Sequence, residues 1–211
     1  MFDFKKISPK KITQFNKSVL NYLKNNSLFI NQSNIMKKIT SFCVAIFIIG
    51  TLFVQVSFAQ LSGVKTIPGN YATITAAITD LNTQGVGSGG VTFNVAAGHT
   101  ETSFNLIITA TGTASNPIVF QKSGSGANPL ITAGVGVGTM DGIILLSGSD
   151  YVTFDGIDLL DPTTNTTTTT QMEWGYALLK VDGTNGSQNN TIKNCSITLQ
   201  KVNTASYGIY S

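Results

Sequence analysis

The stretch VTFDGIDL at residues 152–159 is answered by NTIKNCSI at 190–197, 38 positions later. Laid over each other, Phe154, Ile157 and Leu159 meet Ile192, Cys195 and Ile197. Apolar residues alternating with polar ones describe a half-buried strand. The same alternation returning at a near-fixed interval describes a stack of similar units, each burying its apolar side chains against the next. A second series points the same way: Gly142, Gly175 and Gly208 are 33 residues apart, and each opens an apolar run. The longer interval places extra residues in the turn GTNGSQNN (183–190), and a solenoid tolerates length changes confined to its turns. A β-sandwich is the rival arrangement of such strands.

Other runs of the same character are VTFNVAAG (91–98), FNLIITA (104–110), PIVFQKS (117–123), GIILLSG (142–148), GYALLKV (175–181) and YGIYS (207–211). Gly and Asn separate them at short intervals, the punctuation of an all-β chain with tight turns. One segment reads differently. In YATITAAITDLN (71–82), Ile74, Ala77, Ile78 and Leu81 fall at i, i+3, i+4 and i+7, which predicts a helix with a single apolar stripe. Gly85, Gly87, Gly89 and Gly90 then end it.

Upstream, Lys37 and Lys38 follow Met36, a mostly apolar run extends from Phe42 to Val56, and Ser57-Phe58-Ala59 precede Gln60. A charged start, an apolar middle and a small-x-small end are the parts of a cleavable export signal. Residues 36–59 are therefore expected to be removed between Ala59 and Gln60, giving a secreted or cell-surface product. The apolar run is shorter than the roughly 20 residues a bilayer-spanning helix needs, so no permanent membrane anchor is expected. Cys43 lies at the start of that run, so it forms no lipid-attachment site. Residues 1–35 are rich in Lys and Asn and lack Gly. A start codon assigned too far upstream is the preferred explanation, with a long basic leader as the alternative.

The leader also dominates the charge. Residues 60–211 hold five lysines against nine acids, a net charge of −4, although the full chain has a pI of about 8.8. Nucleic-acid binding, which needs clustered cations, is not expected. The chain has no Arg, so the bidentate clamp on phosphate or carboxylate is missing. Cys195 is the single cysteine after Ala59, which leaves no partner for an intrachain disulfide.

YATITAAITDL, the Gly-rich break and VTFNVAAGHTET (91–102) together resemble the opening of right-handed parallel β-helix proteins of the pectate-lyase-like superfamily, which includes pectin methylesterases. There a helix caps the first rung, and a Gly-x-Tyr-x-Glu element follows the first strand. Here His99 stands where that Tyr is expected, followed by Thr100 and Glu101. The set, with its Phe-Ala-Gln junction, is similar to large exported surface proteins of the Bacteroidetes type, many of which carry a C-terminal domain for type IX secretion. The resemblance implies that residues 60–211 are the N-terminal part of a β-helix domain. The chain ends inside a repeat, so this domain is expected to be C-terminally incomplete.

The resemblance is nearly silent on chemistry, because this scaffold carries unrelated functions. Asp150, Asp155, Asp158 and Asp161 place four carboxylates in one rung, and such lyases hold calcium on outward Asp side chains. With Val152, Phe154, Ile157 and Leu159 claiming the interior, these acids are expected on the solvated face, Asp155, Asp158 and Asp161 being the candidate ligands. The catalytic Arg of those lyases has no counterpart. His99 and Glu101 share one face of an extended strand but form no recognisable catalytic motif. Cys195 occupies an apolar rung position and is expected to point inward. Trp174 and Tyr176, flanking Gly175, are candidates for stacking on a sugar or for packing under the Thr-rich loop 161–174. No catalytic residue and no required cofactor are assigned. The expected function is a non-catalytic surface module that binds polysaccharide or a surface protein. The alternative is a fragment of a polysaccharide lyase or carbohydrate esterase whose site lies beyond Ser211.

Overall fold

The computed structural model describes residues 13–14, 16–21 and 59–211. The chain divides into two units, 1–57 and 58–211. In the first, the described residues are helical and exposed. The rest of the expected export signal, and most of residues 1–35, lie outside the described residues; Ala59 and Gln60 are exposed and irregular. Among the described residues no helix is long and apolar enough to cross a membrane.

In the second unit, β1 (Leu61–Ile67) and α1 (Ile74–Gln84) precede β2 (Val86–Ala96), β3 (Thr100–Thr102) and β4 (Leu106–Ile108). Next come β5 (Ile118–Ser123), β6 (Leu130–Thr132) and β7 (Gly142–Ser147), then β8 (Val152–Asp155), β9 (Asp158–Leu160) and β10 (Trp174–Leu179). The last are β11 (Thr191–Lys193), β12 (Ile197–Thr198) and β13 (Tyr207–Tyr210). They form three sheets, ordered β1-β2-β5-β8-β11, β3-β6-β9-β12 and β4-β7-β10-β13. From β2 onward the chain visits the sheets in one cyclic order. Every pairing between these strands is parallel, whereas a β-sandwich is built from antiparallel neighbours.

Parallel pairing in register brings like side chains into columns. Phe93 lies opposite Phe120, Phe120 opposite Phe154, and Phe154 opposite Ile192. The three rings stack with centroids 4.4 and 5.2 Å apart, closed by tilted Tyr71 at one end and Tyr176 at the other. All three phenylalanines are fully buried. The 38-residue correspondence holds at Phe154–Ile192 and Leu159–Ile197. The glycine series holds only in part, since Trp174 pairs with Tyr207 on one side but with Gly142 on the other. One carbonyl absorbs the slip: Asp141 O accepts from both Glu173 N (2.9 Å) and Trp174 N (3.1 Å).

Helix α1 buries Ile74, Ala77, Ile78 and Leu81, the predicted stripe. Thr73 caps its start by accepting from Ala76 N, and Gly85, at φ 71°, caps its end by donating to Leu81 O. The edges of β3 and β4 not facing β6 and β7 are tied to this helix. Glu101 of β3 accepts from the N–H of Ile74 (2.6 Å) and Thr75 (3.1 Å). Asn82 donates to Ile107 O (2.7 Å) and accepts from Thr109 N (2.9 Å), so one amide pairs with the edge of β4 as a neighbouring strand would. At the other end β13 is exposed along its length, with Tyr207, Ile209 and Tyr210 at 54, 52 and 39 %.

Phe120→Ala is expected to cost about 3–5 kcal/mol, because it opens a void between two stacked rings. Chemical denaturation checks this, and a loss below about 1 kcal/mol would remove the ring column from the centre of the fold. Residues 60–211 expressed alone are expected to self-associate through the open edges of β11, β12 and β13. A stable monomer in size-exclusion chromatography with light scattering would show that these edges recruit no second chain.

Candidate functional site

The four aspartates singled out from the sequence each join one circuit of the chain to another or fasten a loop. Asp150 accepts from Gln188 N (2.6 Å), and Asp158 from Asn128 Nδ2 and Ser196 N (both 2.8 Å). Asp155 accepts from Asn194 Nδ2 (2.7 Å) and lies 3.2 Å from Lys193 Nζ. Those two partners, the Asn194 hydrogen bond foremost, hold its carboxyl below the ordinary value.

Asp161 departs from the expected solvated face. It is fully buried, accepting from Asn165 Nδ2 (2.6 Å) and Met172 N (3.0 Å). The reason is local: strand alternation ends at Leu160, and the Thr-rich loop folds back so that Met172 enters the core. Burial pushes the Asp161 carboxyl up, against the pull of its two hydrogen bonds.

Among the described residues no three His, Cys, Asp or Glu side chains converge as a metal-holding group. Beside Asp155 a polar cleft of about 300 Å³ is lined by Lys122, Asn128, Gly156 and Asn194. The Lys122 ammonium already donates to Gly126 O (2.8 Å) and Asn128 Oδ1 (3.3 Å), oxygens a calcium ion would need.

His99 Nε2 lies 3.3 Å from Glu101 Oε2, and both side chains are largely covered. Glu101 is the group that holds the start of α1, which explains a carboxylate at this position without catalysis. Cys195 is half-buried against the core; its Sγ lies 3.0 Å from Lys193 O and accepts from Ile157 N at 3.4 Å.

The two aromatic candidates separate. Tyr176 is fully buried, donates its hydroxyl to Ile157 O (2.9 Å) and offers no face to a ligand. Burial pushes its phenol well above the ordinary value. Trp174 instead clusters with Leu145 and Ala177, apart from the main core. The bifurcated Asp141 carbonyl marks the point where alternation between residues 174 and 176 breaks. Trp174 stacks on Tyr210 at 4.8 Å and 19°, and the pair lines a groove of about 750 Å³.

Sequence reasoning missed a buried polar column. Asn105 Nδ2 donates to Asp141 Oδ1 (3.2 Å), Asp141 N to Glu173 Oε2 (2.8 Å), and Asn203 Nδ2 to Glu173 Oε1 (2.8 Å). The available signal was an acid immediately before the starts of two strands, Gly142 and Trp174, that adjoin in one sheet.

Comparison of the chain with family models, with curated proteins and with solved structures finds no match.

The opposed environments of Asp155 and Asp161 give opposite pH dependences. Asp155, lowered on folding, adds stability above the ordinary 3.8 that is lost as the pH falls through its folded value. Asp161, raised on folding, adds stability below 3.8 that is lost as the pH rises through its folded value. Carboxyl-carbon NMR titration is expected to show Asp155 titrating below, and Asp161 above, that value. Coincident titrations would contradict the burial of Asp161.

Proposed function

We propose that residues 60–211 are the N-terminal part of a right-handed parallel β-helix, capped by α1, in an exported protein that binds a partner at the cell surface without transforming it. The cyclic visiting of three parallel sheets supports the solenoid. One observation carries the functional reading: the side chains that would do chemistry are committed to hydrogen bonds that hold the fold together. Glu101 holds a helix start, Asp150 and Asp158 hold backbone N–H groups of the following circuit, and Asp161 fastens a loop. A rigid stack whose polar groups are spent on its own cohesion suits presentation of a surface better than turnover.

Two measurements test the proposal. The exported product is expected to begin at Gln60 in N-terminal mass spectrometry, and a product retaining Lys37 and Lys38 would remove the export reading. Incubated with pectic polysaccharide, the protein is expected to yield neither cleaved chains nor released methanol. Turnover that disappears in Asp155→Ala or Asp158→Ala would establish a carbohydrate-active enzyme instead.

A further inference from the structure

We infer that the Thr-rich loop between β9 and β10 binds a hard cation, calcium above others, through the Asp161 carboxylate and the side-chain oxygen of Gln171. Gln171 is 1 % exposed, yet its Oε1 is the one buried side-chain nitrogen or oxygen among the described residues without a hydrogen-bond partner. Buried polar atoms are for the most part paired, with protein, water or an ion, so an orphan acceptor of this kind points to a ligand. Turning the amide over gives no relief. Its Nε2 donates to Asn165 O (2.9 Å), and the turned amide would set two oxygens against each other. Hydrogen bonds tie this amide to Asp161 in a closed ring. Asn165 Nδ2 donates to Asp161 Oδ1 (2.6 Å), Gln171 Nε2 to Asn165 O, and Met172 N to Asp161 Oδ2 (3.0 Å). The unpartnered oxygen and the carboxylate thus belong to one buried unit, covered on both sides by neighbouring circuits: Asn165 reaches Gly134 O in one, and Gln200 in the other donates to Asp161 O.

Charge decides between a water and a cation. Asp161 is fully buried and both its donors are neutral. The same flank buries two more carboxylates, Asp141 and Glu173, whose donors are also neutral. The ion pairs among the described residues, His99–Glu101 and Lys193–Asp155, involve none of these three acids. A buried charge is costly unless it is paired. A water would serve the Gln171 oxygen and leave the carboxylate charge uncompensated, whereas a cation answers both. Asp161 has room for it, since a carboxylate offers about four lone-pair positions and two are used. The donor set is oxygen alone, one carboxylate and one amide, which suits calcium and gives no preference to a transition metal. Calcium takes amide and carbonyl oxygens beside carboxylates, so the site needs no convergence of three acids. A single carboxylate places the affinity at the weak end of calcium sites, about 10⁻⁴–10⁻³ M.

The full chain, stripped with a chelator, is titrated with calcium chloride at fixed pH and ionic strength, with magnesium and sodium chlorides as controls. Melting temperature and the NMR shifts of side-chain carboxyl and amide carbons are followed. Calcium is expected to raise the melting temperature saturably and to move the Asp161 and Gln171 signals, leaving that of Asp155 in place; magnesium and sodium are expected to do so less. Asp161→Asn is expected to abolish the response. Gln171→Glu, which sets a second charge at the orphan oxygen, is expected to melt lower than the parent in chelator and to bind calcium about tenfold more tightly, because affinity rises with ligand charge. This second variant separates a lost site from a lost fold. The inference is overturned if calcium gives no saturable change, the result expected of an oxygen served by water alone. It is equally overturned by shifts at Asp155 in place of Asp161, by an equal response to magnesium, by an undiminished response in Asp161→Asn, or by unchanged affinity in Gln171→Glu.

Discussion

Every strand pairing in this chain is with a neighbour running the same way, and that neighbour is supplied by the preceding or following circuit. The consequence is a fixed register. Each residue is held above its equivalent, so a residue type that suits one circuit is reinforced by the next. Phe93, Phe120 and Phe154 stack because the hydrogen bonds beside them permit no slip, and the stack in turn fills the space that the sheets enclose. Aromatic pairs in such offset geometry contribute about 0.5–1.5 kcal/mol beyond their burial.

The same register explains why side chains associated with chemistry serve as connectors here. Where the chain turns from one sheet to the next, some backbone groups lose their strand partners. Carboxylates and amides in those turns replace them. Glu173 receives the N–H of Asp141 from one neighbouring circuit and the amide of Asn203 from the other. Asn128 spans further, donating to Asp158 and to Asn194 O. Buried polar groups are for the most part paired, and these pairs run across circuits rather than within them.

What could be read from the sequence follows from this division. The helical stripe of α1 and the Phe154–Ile192 and Leu159–Ile197 equivalences were legible, because burial imposes a strict period on apolar residues. Turn geometry imposes none. The one-residue slip between Gly142 and Trp174 depends on a single carbonyl accepting twice, which leaves no mark in composition. Asp161 looked like its neighbours Asp155 and Asp158 until the loop after it folded inward, and Tyr176 looked like Trp174 until the strand alternation broke between them. Glu101 was noticed, but its partner lies on a helix that precedes it in the chain, at a separation that no short motif records.

Strand-to-strand hydrogen bonds lie across the strands, so in this molecule they point from one circuit toward the next. A pull along that direction loads the bonds of a single circuit before those of its neighbours, and the chain yields by peeling. A pull along the strands loads the bonds of several circuits together, in shear. The polar column from Asn105 to Asn203 runs in the weaker of these directions, where its hydrogen bonds act as a seam against peeling. The molecule is thereby mechanically anisotropic, stiffest along its strands.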